Sequence, residues 1–120
     1  MIETSPEFVT YQLAIELAAP ASIAIGRLGV YDFPAGRYIY TGSARRNLEA
    51  RIARHLRSDK RLKWHIDYLL ALPHAVVVEV ARFVLPECEV NQRSPGRILI
   101  SGFGASDCRA GCGSHLKFQG

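Results

Sequence analysis

Along residues 10–17, apolar Tyr11, Leu13, Ile15 and Leu17 alternate with smaller or polar residues. That two-residue period is the signature of a half-buried strand. Pro20 closes it, and residues 22–26 read as a second short strand. Turns are expected at Gly26-Arg27-Leu28-Gly29 and at Phe33-Pro34-Ala35-Gly36, where glycine and proline supply the required backbone angles. The second turn leads into a strand carrying Tyr38, Ile39, Tyr40 and Thr41, which stops at Gly42-Ser43. Links this short favour an antiparallel meander.

Beyond Gly42 the period lengthens. Leu48, Ile52 and Leu56 recur at helical spacing, Asn47 stands where an N-cap belongs, and Glu49 falls in the first turn. At about 100° per residue, Arg51 and His55 fall at the edge of that stripe while Arg54 and Arg57 point away. A second helix over about 62–71 turns Leu62, Ile66, Leu69 and Leu70 inward and ends before Pro73. The β-branched run Val76-Val77-Val78-Glu79-Val80 predicts another strand. Pro86 is tolerated in the first turn of a short helix through about Arg93, with Glu87 at its start. Residues 96–100 suit a short edge strand, and the glycine-rich stretch 102–120 is expected to be irregular.

At 120 residues and 48% hydrophobic, the chain has the size of one compact domain. It has no apolar run near the roughly 20 residues that a membrane helix needs, and no charged-then-apolar leader. A cytoplasmic protein away from membranes is expected. Three cysteines, an odd number, fit a reducing compartment better than a disulfide framework. The net charge of +4 is modest but unevenly placed. Residues 45–63 hold eight of the 15 Lys and Arg against Glu49 and Asp59 alone. Arg45, Arg46, Arg54, Arg57, Lys60, Arg61 and Lys63 can line a groove for a phosphate backbone, since a basic face draws polyanions by counterion release. A solvated helix face is the plainer explanation of the same cluster.

Tyr40, Arg51 and His55 fall around one surface. A guanidinium binds phosphate oxygens, and a phenol or imidazole handles protons. Tyr40-Thr41-Gly42, followed by Arg51 and one helical turn later by His55, resembles the second half of the GIY-YIG nuclease motif. The likeness covers most of the chain and is greatest to a stand-alone branch of that family. Members of that branch also carry Gly-Arg-Leu-Gly, Phe-Pro-Ala-Gly, Trp-His-Ile-Asp-Tyr-Leu-Leu, Glu-Cys, Asp-Cys and Ser-His-Leu segments, here at 26–29, 33–36, 64–70, 87–88, 107–108 and 114–116. The resemblance implies an α+β domain with a small, mostly antiparallel sheet flanked by helices. It also implies a metal-dependent DNA endonuclease, with RNA left open as a substrate. No separate recognition helix is visible, so selection by DNA structure, as in repair or processing, is expected rather than selection by sequence.

By the same resemblance, Glu87 in Glu-Cys-Glu-Val-Asn is the candidate ligand for Mg²⁺ or Mn²⁺, with Glu89 its neighbouring rival. A solvated helix glutamate is the plain alternative for both. Two tyrosines compete for the first half of the motif. Gly29-Val30-Tyr31 is the literal match, but Asp32 and Pro34 shorten its strand, whereas Tyr11 opens the cleanest strand and pairs naturally with that of Tyr40. Tyr11 is favoured. The candidate catalytic set is therefore Tyr11, Tyr40, Arg51 and His55, and a catalytic tyrosine needs Arg51, His55 or the metal to favour its phenolate. Tyr38 reads as packing, His65 as structural, and Trp64 as a core anchor that could also stack on a base. His74, in a loop, carries no argument.

Cys108, Cys112 and His115 make a Cys-x3-Cys-x2-His cluster, with Cys88 upstream. Four soft ligands would form a structural zinc site; buried or free thiols are the plain alternative. The alternative reading turns Asp107 and His115 back toward the nuclease site. Two other classes compete with the enzyme: a nucleic-acid-binding module without catalysis, and a zinc-stapled interaction domain that leaves the tyrosine and arginine pattern unused.

Overall fold

The computed structural model describes residues 8–44, 46–57, 62–104 and 112–120. Nine elements follow one another: β1 (Thr10–Leu17), β2 (Ala21–Ile25), β3 (Gly29–Phe33), β4 (Gly36–Ser43), α1 (Leu48–Leu56), α2 (His65–Leu70), β5 (Ala75–Phe83), α3 (Glu87–Arg93) and β6 (Leu116–Phe118). The fold is α+β. Four antiparallel strands form a sheet in the order β5-β1-β4-β6, and β2 and β3 make a separate two-stranded ribbon.

The alternation in β1 is real: Tyr11, Leu13, Ile15 and Leu17 are all buried. The expected meander is not what forms. β1 pairs with β4, placing Leu13 opposite Tyr40 and Tyr11 opposite Gly42, and with β5 on its other side. Alternation fixes which residues face the core but not which strand lies alongside, and the 29–33 segment leaves the sheet to pair with β2 alone. The expected edge strand at 96–100 reduces to one bridge between Arg97 and Phe118. The stretch 102–120 is not wholly irregular, because Leu116–Phe118 adds β6 to the sheet and all three of its residues are buried. Lys117 explains part of that burial. Its ammonium donates to the carbonyls of Asn91 at 3.1 Å and Ser94 at 3.2 Å, closing the C-terminal end of α3.

Two helices also depart from expectation. In α1 the buried stripe is Leu48, Ile52 and His55; Leu56, expected inward, is 55% exposed. Asn47 precedes the helix in a left-handed conformation (φ 55°) and its side chain makes no capping bond, a backbone state that asparagine tolerates better than most residues. α2 begins at His65, and Leu62 lies outside it, exposed. What starts α2 is Asp67. Its carboxylate accepts from the backbone N–H groups of Lys63 and Trp64 at 2.9 and 2.8 Å, satisfying donors that a helix start leaves open. No helix among the described residues is long and apolar enough to cross a membrane.

Candidate active site

Tyr11 and Tyr40 share a face of the sheet as diagonal neighbours, because Tyr11 sits opposite Gly42 and Tyr40 lies two residues before it. Their ring centroids are 6.4 Å apart. Gly42 makes this possible: a Cβ there would collide with the Tyr11 hydroxyl. The glycine of Tyr40-Thr41-Gly42 is thus required by the ring that crosses it, not by an unusual φ.

His55 faces the two phenols from α1. The Tyr11 hydroxyl is 2.6 Å from His55 Nε2, and the imidazole is 2% exposed. Its ring also lies 6.1 Å from that of Tyr40 and 5.6 Å from that of Trp64. Arg51, one turn earlier on α1, donates from Nη1 to the Ser43 carbonyl at 2.6 Å and lies over the Trp64 ring at 4.8 Å. Trp64 is half-buried against the core and also carries Arg54 at 4.2 Å. It anchors the basic helix.

Burial pushes the Tyr11 hydroxyl far above the ordinary phenol range; Tyr40 and Glu87 push it further, while Arg51 pulls the other way. Burial likewise raises Tyr40, helped by Glu87 and opposed by Arg51. Both are neutral phenols at physiological pH. These influences also locate Glu87 electrostatically: the carboxylate at the start of α3 and the guanidinium of Arg51 act on the same two hydroxyls.

The competing residues fall elsewhere. The Tyr31 hydroxyl donates to the Leu28 carbonyl at 3.1 Å within the ribbon. Tyr38 is core, its hydroxyl donating to Pro34 at 2.5 Å and pushed up to about 12 by burial. Glu89 pairs with Arg93 at 2.7 Å on the exposed side of α3. His65 Nδ1 accepts from the Gly104 N–H at 2.9 Å, a structural duty, and His74 is exposed in a turn.

Of the basic residues assigned to a phosphate groove, Arg46, Arg57 and Lys63 are exposed. Arg54 is not directed away from the domain as expected. It forms a two-pronged pair with buried Asp67 at 2.9 and 3.1 Å. Arg45, Lys60 and Arg61 lie outside the described residues, as do Asp107 and Cys108. Cys88, Cys112 and His115 do come together. One ligand atom from each lies within 4.8 Å of the others, a group able to hold a metal ion.

A family model described as a domain of unknown function, DUF123, matches residues 10–120. The chain belongs to the DUF123 family. Every site residue named above, from Tyr11 to His115, lies inside the DUF123 match. Neither a curated protein nor a solved structure matches the chain.

Two residues of this DUF123 chain that organise the site were not singled out from sequence. Asp67 looks like an ordinary helix-face acid, yet its side chain is fully buried and fixes both α2 and Arg54. Its position three residues into a helix that follows a loop is the signal that could have found it. Asn91, 1% exposed, donates to the Ser114 carbonyl at 2.8 Å and holds the residue before His115. Its partner lies in a stretch expected to be irregular, so nothing in the pattern pointed to it.

Proposed function

We propose that the chain is a metal-dependent endonuclease that hydrolyses phosphodiester bonds in DNA, selecting structure rather than sequence. One observation carries this reading: Tyr11, Tyr40 and His55 converge on a single spot, with Arg51 and Glu87 both in electrostatic reach of the two phenols. The resemblance to the GIY-YIG motif supplies the reaction, and the pairing of β1 with β4 supports Tyr11 over Tyr31 as its first tyrosine.

Glu87 fits Mg²⁺ or Mn²⁺. It offers hard oxygen donors, its side chain is 26% exposed, and magnesium is commonly held by one or two carboxylates with water and phosphate oxygens completing the shell. Such an ion supplies charge neutralisation at the phosphate. Arg51 binds phosphate oxygens and meets the charge that grows on them in the transition state. Tyr40, whose ring lies 6.4 Å from that of Tyr11, orients the attacking water. Tyr11 takes up the proton of the attacking water as it hands its own to His55 Nε2, the imidazole starting in the tautomer protonated at Nδ1, and the oxygen released when the P–O bond breaks takes its proton from solvent. Burial disfavours a tyrosinate at either position, so the imidazole is the proton acceptor in this proposal. The thiol–imidazole cluster is softer and by donor type suits zinc.

A non-catalytic nucleic-acid-binding module is the second reading, favoured by the enclosure of Tyr11, 1% exposed, beside the outward-facing Arg46, Arg57 and Lys63. Nicking of supercoiled plasmid with Mg²⁺ or Mn²⁺, run beside a duplex-binding titration, separates the two. Metal-dependent nicking supports the enzyme; binding without nicking under either ion supports the module.

A further inference from the structure

His115 is held between two different chemistries. Its Nδ1 lies 3.1 Å from the Glu87 carboxylate, and its Nε2 lies 3.9 Å from the Cys88 sulfur. Cys112 completes the group on the sulfur side. Cys88 is half-buried and follows Glu87 directly in the first turn of α3. Cys112 is half-buried too, and its sulfur accepts from the Gln92 side chain at 3.6 Å. The imidazole is pinned through its backbone: the His115 N–H donates to the Phe103 carbonyl at 2.8 Å, and its carbonyl accepts from the Thr41 N–H at 3.0 Å. Asn91 fixes the preceding carbonyl.

We infer that Cys88, Cys112 and His115 form a zinc site wired to the catalytic carboxylate, with His115 using Nε2 on the ion and Nδ1–H on Glu87. Two observations carry this independently of any nuclease activity. The first is spacing. Sulfur bonds of about 2.3 Å and nitrogen bonds of about 2.0 Å put tetrahedral ligand atoms roughly 3.5–3.8 Å apart, so atoms already within 4.8 Å need only a small contraction. The second is the carboxylate on the far ring nitrogen. A metal-bound histidine ordinarily donates its other N–H to a carboxylate or carbonyl, which sets the tautomer and raises the basicity of the ligand. The Glu87 carboxylate stands 3.1 Å from that nitrogen, near enough to take this role on a small reorientation. One imidazole thereby links a soft site, suited to zinc, with a hard site, suited to magnesium. Loading the zinc fixes His115, and His115 in turn restrains the Glu87 carboxylate at the edge of the phenol pair.

The test uses the full chain purified without chelator. Metal analysis should give about one zinc per chain, and exchange for Co²⁺ should produce a sulfur-to-cobalt charge-transfer band in the near ultraviolet. Cys112→Ser should weaken that band. Glu87→Gln should keep it while lowering zinc affinity about 10- to 100-fold, the usual effect of removing a carboxylate behind a ligating histidine; competition with a chromophoric chelator measures this. A wild-type chain that takes up no zinc and shows no cobalt band overturns the site, whatever the cysteine variant does. Unchanged zinc affinity in folded Glu87→Gln overturns the link to the carboxylate. Neither readout depends on DNA cleavage, so failure of this inference and failure of the nuclease reading are separable.

Discussion

Tyr11 and Tyr31 differ in what holds their hydroxyls. The first is set against His55 Nε2 at 2.6 Å beside Tyr40, and the second donates to the Leu28 carbonyl in the ribbon. Tyr11→Phe keeps the ring that fills the core and removes the hydroxyl set against His55 Nε2, the group proposed to hand it a proton. It should therefore lower the cleavage rate by about 10²- to 10⁴-fold, while Tyr31→Phe stays near wild type. Steady-state rates of the two variants on one substrate check this, and the reverse ranking would return the role to Tyr31. At this scale much was legible. Tyr40, Arg51, His55 and Glu87 stand at motif spacings that chemistry explains, and the strand alternation selected Tyr11. Asp67 and Asn91 were not legible, because their importance lies in burial and in partners that sequence spacing does not disclose.

The elements show why. β1 and β5 announce themselves through alternation and β-branching, and the expected pairing of the Tyr11 strand with the Tyr40 strand is the one that forms. The simple meander expected beside it does not form, because local pattern does not show that β2 and β3 leave the sheet as a separate ribbon. β6 is three residues long and follows glycine-rich chain, too short for a period to show. In α2 the deciding contact is Asp67 with Arg54 and two backbone N–H groups. Burial alone would raise the Asp67 carboxyl, but the hydrogen bonds from Arg54, Trp64 and Lys63 outweigh it and hold the pKa below the usual range. Asp67→Asn should destabilise the chain toward the lower end of the roughly 3–5 kcal/mol expected for breaking a buried pair, since Arg54 keeps 22% of its side chain exposed. The sign with pH follows from the depressed folded value. The stabilisation is fully present above the ordinary aspartate pKa of about 3.9 and is lost as pH falls through the folded value below it. Urea midpoints of wild type and Asp67→Asn should be far apart at pH 7 and converge in acid. A constant gap across that range would remove the ion pair from the account.

For the whole molecule, a net charge of +4 understates the local field, because the basic residues gather around α1 while the remainder of the chain is nearly balanced. The sequence made this concentration visible. It did not reveal that Arg54 is committed to Asp67; of the seven residues assigned to the phosphate groove, Arg46, Arg57 and Lys63 are the described ones that are exposed. Neutralising these three together should weaken binding to all duplex sequences alike and reduce the slope of log K against log salt by about 0.9 per lost phosphate contact, about three in total. An unchanged slope would make them a solvated face. The central claim concerns the chemistry that this field serves, and Arg51 tests it most directly. Single-turnover cleavage of a nicked or branched duplex, at saturating protein and with Mg²⁺ or Mn²⁺, should be slowed by about 10²-fold or more in Arg51→Ala, with circular dichroism and duplex binding largely retained. A folded Arg51→Ala chain that cleaves at the wild-type rate would contradict the account.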